Sequence, residues 1–462
     1  MSSAETVAQK LAMFVSQLKY EQLPVEVVKR SRDLLLDQLG CQLLGSSVEW
    51  NRPIYTFVKE NKPGGPATIV SYGDKVPVDD AAFVNGTFGQ GCELDDYYDQ
   101  GGGHPGAGSI PVAMALGEKT HVDGKTFITA IVTGYEIGWR VGRGLLPQMM
   151  RRGFHSQGVI GVFIAAATAG KILQLNPNQL TNTFAIAGSN ACGTMEFDQS
   201  GGEVKRMHNG LACSNGMRSA MVAGMGLTGP ATIFEGERGI LKVFGGECNP
   251  EPMTRGLGSE FAIMHGAIKR FPVNASQHSP IELLSKLVQE NGIEPREVKN
   301  IQVGVNEHIL MHGGSISEPK QVVDAQFSLR FTLALRLVKN SNDLRLYMNP
   351  KLWQDPEILE VGKKINFFSE PTFTGDLRFA CKMRITLSDS RVIEGYLPYP
   401  KGTAKNPLSG EEIRKKFFNL GDGVLPKEKL NRIIDKVEGV NLENDISSLS
   451  HLMISAQSQN PN

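Results

Sequence analysis

No C-x-x-C pair, P-loop or G-x-S-x-G elbow occurs in the 462 residues, so the chain has no pattern for a zinc ribbon, a thioredoxin motif, a nucleotide cradle or a hydrolase nucleophile. The six cysteines, Cys41, Cys92, Cys192, Cys213, Cys248 and Cys381, lie far apart. They read as free thiols of a reducing compartment, not as a local iron-sulfur ligand set. Net charge is missing too: 48 Lys plus Arg balance 48 Asp plus Glu. No global field draws nucleic acid or an anionic membrane, so recognition of anions must be local. The longest uncharged apolar stretch, Ser156–Gly170, has 15 residues, where a bilayer needs about eighteen or more. It predicts a buried helix. Met1–Leu18 carries Glu5 and no basic flank before an apolar core, so a secretory signal is not expected and cytoplasm is the expected compartment.

What is present is an ordinary globular composition, 40% hydrophobic and 21% charged, in a chain long enough for two or three domains at roughly 150 residues each. Glycine is abundant at 51 residues, which predicts close backbone packing between about residues 84 and 245. Val28, Leu35, Leu39 and Leu43 predict an amphipathic helix after Pro24, with Gly40 and Gly45 near its end. Segments 110–117, 126–142, 158–173, 178–188, 209–226, 409–420 and 426–438 also read as helices. Ile301, Val303 and Val305 alternate as a strand does, and 379–387 with 391–396 predict a hairpin around Ser388, Asp389 and Ser390. The run from Phe327 to Leu337 alternates like a strand but is built of helix formers, and helix is favoured. The expected fold is mainly α: a large helical domain made of 1–265 and 400–462, with a smaller α/β domain inserted at 266–399.

The densest polar constellation is Glu93, Asp95, Asp96 and Asp99, followed by Gly101, Gly102, Gly103, His104, Pro105 and Gly106. Its G-x-G-x-x-G match lacks the preceding apolar strand of a dinucleotide site. Asp95, Asp96 and Asp99 also spell D-D-x-x-D, a magnesium-holding pattern in prenyl-type synthases, and on a helix Asp95 and Asp99 would share a face. The second motif of such enzymes would need a carboxylate where Leu452 stands. His308 and His312 have helical spacing without an evident third ligand. Arg151–His155, Gly201–His208, Lys269–Pro272 and Gln277–His278 each place a cation or imidazole beside glycine, proline or an aromatic. Singly, such groups are solvated charges or satisfied histidines. Together with His104 they form a set able to bind carboxylates and move a proton near neutral pH.

These segments, in this order, resemble the MmgE/PrpD family over nearly the whole chain. The resemblance is carried by Asp80–Asn85, Glu93–Asp96 with His104 and Pro105, Phe154–His155 before an Ala-rich helix, Gly201–His208, and Thr228–Pro230 with Glu235 and Gly236. It implies that the α/β domain is a lid, that the protein is a homodimer, and that no cofactor or metal is required. It also implies a lyase acting on a small anionic di- or tricarboxylate. Cis-aconitate decarboxylation is the first reading, with 2-methylcitrate-type dehydration or epimerisation beside it. By position it assigns catalysis to His104, His155 and Lys205, and substrate binding to Glu93, Tyr97, Arg206, Lys269, Asn274 and His278. Glu93, Tyr97 and Asn274 stand where the mammalian decarboxylase pattern has aspartate, threonine and histidine. A magnesium-dependent prenyl-type synthase and a non-catalytic binding protein are the rival classes.

Overall fold

The computed structural model describes residues 5–98, 101–247, 249–307, 309–310 and 316–455. The chain divides into two units, one drawn from Met1–Phe197, Glu203–Gly266 and Ser409–Asn462, the other from Asp198–Gly202 and Ala267–Leu408. The fold is mainly α. The principal helices are α1 (Val7–Gln17), α2 (Val25–Ser46), α3 (Arg52–Asn61), α4 (Val78–Gln90), α5 (Pro105–Thr120), α6 (Gly124–Leu145), α7 (Ser156–Ile172), α8 (Pro177–Ser189) and α9 (Val204–Gly224). The second unit contributes α10 (His278–Asn291), α11 (Leu329–Lys339) and α12 (Pro356–Lys363), and the chain returns to the first with α13 (Gly410–Gly421) and α14 (Lys427–Glu438). Among the described residues no helix is long and apolar enough to cross a membrane.

Several helix starts are set by side chains that satisfy otherwise unpaired backbone N–H groups. Thr6 with Gln9, Asn176 with Gln179 and Ser409 with Glu412 form reciprocal capping boxes, and the Asp123 carboxylate accepts from the N–H groups of Lys125 and Thr126. Helix α7, the longest apolar run, is buried at every residue except Lys171. A helix apolar on all sides has to be interior, and α5, α6, α8 and α9 pack around it. Lys171 does not reach solvent freely either: its ammonium donates to the carbonyls of Val15 (2.9 Å), Ser16 (3.1 Å) and Leu18 (2.5 Å), closing the C-terminus of α1.

Glycine permits the close approach that its abundance predicted. A Cβ at Gly216 on α9 would lie 2.4 Å from the Val162 carbonyl oxygen of α7, and one at Gly142 on α6 would lie 1.5 Å from the carbonyl oxygen of Gly101. The second contact seats the glycine turn that leads to His104. Gly142→Ala is therefore expected to destabilise the protein by about 1–3 kcal/mol through overpacking. Gly410→Ala, where a Cβ meets nothing within 4 Å, serves as the control. Thermal unfolding of both variants checks this: an unchanged midpoint for Gly142→Ala would show that the turn yields at no cost.

The second unit carries a four-stranded sheet of β1 (Val298–Val305), β2 (Ile365–Ser369), β3 (Cys381–Leu387) and β4 (Val392–Leu397), in the order β2-β1-β3-β4. The β1/β2 pair is parallel, whereas β1/β3 and the β3/β4 hairpin are antiparallel. Ile301, Val303, Ile385 and Met383 fill one core with Leu284, Leu333 and Leu337. The ambiguous run resolves as helix α11 because Ser328 caps it, accepting from the Phe331 N–H at 3.1 Å. Leu329, Phe331, Leu333, Ala334, Leu335 and Leu337 are all buried there, so apolar alternation came from burial on more than one face. Residues 400–408 also fall in the second unit. Their backbone ties them to it: Ile268 N–H donates to the Gly402 carbonyl at 2.9 Å and Lys401 N–H to the Glu282 carboxylate at 2.8 Å.

Candidate active site

His104 is delivered by a turn in which Gly102 (φ +61°) and Gly103 (φ +78°) take the left-handed conformation that glycine adopts without strain. It stands at the cap position of α5, with Pro105 as the first helical residue. Gln157, on the first turn of α7, holds its backbone from both ends. The Gln157 Oε1 accepts from His104 N–H at 2.6 Å, and its Nε2 donates to the His104 carbonyl at 3.3 Å and to Asn209 Oδ1 at 2.5 Å. The His104 Nδ1 lies 2.8 Å from Asp95 Oδ2 and 3.0 Å from the Asp96 carbonyl. Both neighbours are acceptors, so the ring proton is assigned to Nδ1 and the Nε2 of the neutral ring carries the lone pair.

Asp95 and Asp96 do not lie on a helix; they occupy an irregular turn before the short strand Tyr97–Tyr98. The shared helical face expected for Asp95 and Asp99 is thereby corrected, and Asp99 lies outside the described residues, as do His308 and His312. The Asp96 carboxylate accepts from Tyr135 O–H at 2.7 Å and from Gly106 N–H at 2.9 Å. Burial pushes its pKa up to about 7; the Tyr135 and Gly106 bonds oppose this, while the charges of Asp95 and Asp37 add to it. Asp96 is thus bound to the protein, and Asp95 faces His104. Among the described residues no group of three or more His, Cys, Asp or Glu side chains could hold a metal ion.

Glu93 adopts a left-handed backbone (φ +57°), uncommon for a residue with a Cβ, and its carboxylate pairs with the Lys205 ammonium, both groups being buried. Lys205, His208 and Asn209 lie at i, i+3 and i+4 on α9 and so share a face. Asn209 donates to the Gly86 carbonyl at 2.6 Å and the Ala107 carbonyl at 2.9 Å, anchoring that face to α4 and α5. His155, at the cap position of α7, places Nδ1 3.0 Å from His208 Nδ1. Burial pushes the His155 imidazole well below its ordinary pKa; the charges of Lys205, His208 and His104 act in the same direction and Glu93 opposes them. His208 is lowered by burial and by Lys205. The starts of α5, α7 and α9 thus carry three imidazoles, His104, His155 and His208, and the Lys205 ammonium, with the positive ends of three helix dipoles.

The remaining predicted residues have varied surroundings. Arg206 stacks over Trp50 at 4.5 Å and pairs with Glu203; burial pushes its guanidinium down to about 10, against the charges of Glu93 and Cys92. Tyr97 is buried on its short strand. In the second unit Lys269 is buried, and the Asn274 Oδ1 accepts from Ser276 N–H at 3.0 Å and from its hydroxyl at 2.8 Å, capping the turn before α10. His278 begins α10 with its ring 5.4 Å from Phe271. Sequence reasoning singled out neither Gln157 nor Asn209 and gave His208 no role. The spacing from Lys205 to His208 and Asn209 was the available signal; Gln157 had none.

Residues 9–253 match the MmgE/PrpD N-terminal domain and residues 271–441 the MmgE/PrpD C-terminal domain. Over 97% of its length the chain is 29% identical to a cis-aconitate decarboxylase-like protein of Aspergillus oryzae, covering 97% of that protein. It is 27% identical to cis-aconitate decarboxylase of Aspergillus terreus and 24% identical to that of Homo sapiens, in each case over 97% of this chain and 96% and 95% of the relative. With both domains matched in order, the chain belongs to the MmgE/PrpD family and is a lyase of its decarboxylase or dehydratase type.

Proposed function

We propose that this protein is a metal-independent lyase for a small di- or tricarboxylate, with decarboxylation of cis-aconitate as its reaction and 2-methylcitrate-type dehydration or epimerisation as the alternatives within the family. The observation that carries the reading is the group of buried Lys205, His155 and His208 with the part-buried His104, at three helix starts. Fixed positive ends and an ammonium suit a polyanionic substrate. When carbon dioxide leaves, the electron pair of the broken carbon-carbon bond remains on the substrate and spreads onto its other oxygens. Lys205 stabilises that charge more than it stabilises the ground state. His104, once its Nε2 has taken up a proton from solvent, gives that proton to carbon and returns to the neutral Nδ1–H form, and Asp95 beside Nδ1 stabilises the ring while it is charged. The family resemblance supports further substrate contacts from Glu93, Tyr97, Arg206, Lys269, Asn274 and His278, and a homodimer.

Incubation with cis-aconitate, 2-methylcitrate and iminodisuccinate in deuterated water, followed by NMR, tests the reading. Release of carbon dioxide with one deuterium placed on carbon is expected from cis-aconitate. Turnover is expected to survive exhaustive EDTA, because no step requires a Lewis acid. Failure to turn over any of the three acids, or a magnesium-dependent reaction on a prenyl diphosphate, would overturn the proposal.

A further inference from the structure

Two buried imidazoles face one another through the same ring position. His155 Nδ1 and His208 Nδ1 are 3.0 Å apart, and the Phe197 ring closes on both, at 5.1 and 6.0 Å. Gly193 makes the approach possible: its backbone is left-handed (φ +115°), its carbonyl accepts from His155 N–H at 3.0 Å, and a Cβ there would come within 3.2 Å of His208 Nδ1. A nitrogen pair at this distance holds one hydrogen. With two, the N–H groups would point at each other; with none, two lone pairs would. In the neutral pair one ring therefore carries its proton on Nδ1 and its lone pair on Nε2, while the other ring is reversed.

We propose that His208 is the positioning residue of His155: by sharing one proton between the two Nδ1 atoms it sets the His155 tautomer, and it takes over the positive charge when His155 Nε2 accepts a proton. This rests on the reading of His155 as a group that handles protons in the lyase reaction. In decarboxylation the proton comes from solvent, a hydronium ion giving it to the lone pair of His155 Nε2 and leaving as water. In dehydration or epimerisation a substrate C–H bond breaks instead, its electron pair staying on carbon and its proton bonding to Nε2. The Nδ1 proton of His155 then crosses to the lone pair of His208 Nδ1. His155 is left neutral with Nε2–H, and His208 is the imidazolium; the reverse transfer returns the proton. Moving the charge has a physical reason. Positive charge on His155 is opposed by Lys205 and His104, with Glu93 alone in its favour, whereas on His208 the opposing charge is Lys205.

Imidazole 15N spectra of the full-length protein, together with kinetics on cis-aconitate, test this. In the wild type the two rings are expected in opposite tautomers, taking up one proton between them rather than two. His208→Asn retains a hydrogen-bond acceptor for His155 Nδ1 but cannot carry the charge. It is expected to lower kcat roughly 10- to 100-fold, the scale of outer partners that orient a histidine, with KM little changed and an altered pH profile. His208→Ala is expected to lose at least as much and to release His155 into a tautomer mixture. Identical tautomers, uptake of two protons, or a His208→Asn variant with wild-type kcat and pH profile would overturn the proposal. If the wild type turns over no carboxylate, the functional reading fails separately, and the ring signals still decide the pair.

Discussion

Lys205→Ala is expected to lower kcat by about a hundredfold to a thousandfold, the usual cost of removing one group that stabilises transition-state charge. The interpretation needs a partner variant, because Lys205 and Glu93 are a buried ion pair. Deleting the cation alone breaks this buried ion pair, which typically costs about 3–5 kcal/mol. Lost activity could then be lost structure. Glu93→Gln in the Lys205→Ala background removes the other charge of the pair as well, so the double variant should recover stability. If Lys205 acts on substrate, kcat stays low in the double variant while its unfolding midpoint approaches that of the wild type. Recovery of both would assign Lys205 a structural role and remove it from the reaction.

His104→Ala is expected to reduce kcat by about a hundredfold to ten-thousandfold, the range contributed by a positioned acid or base. Its backbone is held independently by Gln157, so the turn should persist without the ring. Added imidazole should restore part of the activity of His104→Ala, which a purely structural defect would not allow. Asp95→Asn should lower kcat less, with KM preserved, because it removes only the charge facing Nδ1. A His104→Ala enzyme with near-normal turnover would transfer the proton chemistry to the His155 and His208 pair.

Local structure was legible wherever one segment supplied its own reason. The apolar run Ser156–Gly170 could only be an interior helix, and the hairpin around Ser388–Ser390 had its alternation and turn residues adjacent. His104, His155 and Lys205 were also visible, as polar groups set beside glycine or an aromatic within recognisable segments. Tertiary structure decided what each of them touches. The partners of His104 come from eight or nine residues upstream and from Gln157, and those of His155 from His208, each on a different element. The same holds for the acidic run, whose spacing suggested a helical metal face, whereas Asp95 and Asp96 occupy an irregular turn in which Tyr135 and Gly106 bind Asp96. Sequence spacing reports neighbours along one element, through its periodicity. A hydrogen bond between elements depends on where their ends meet, and in this protein that is set by burial of α7 and by glycines that let backbones come together.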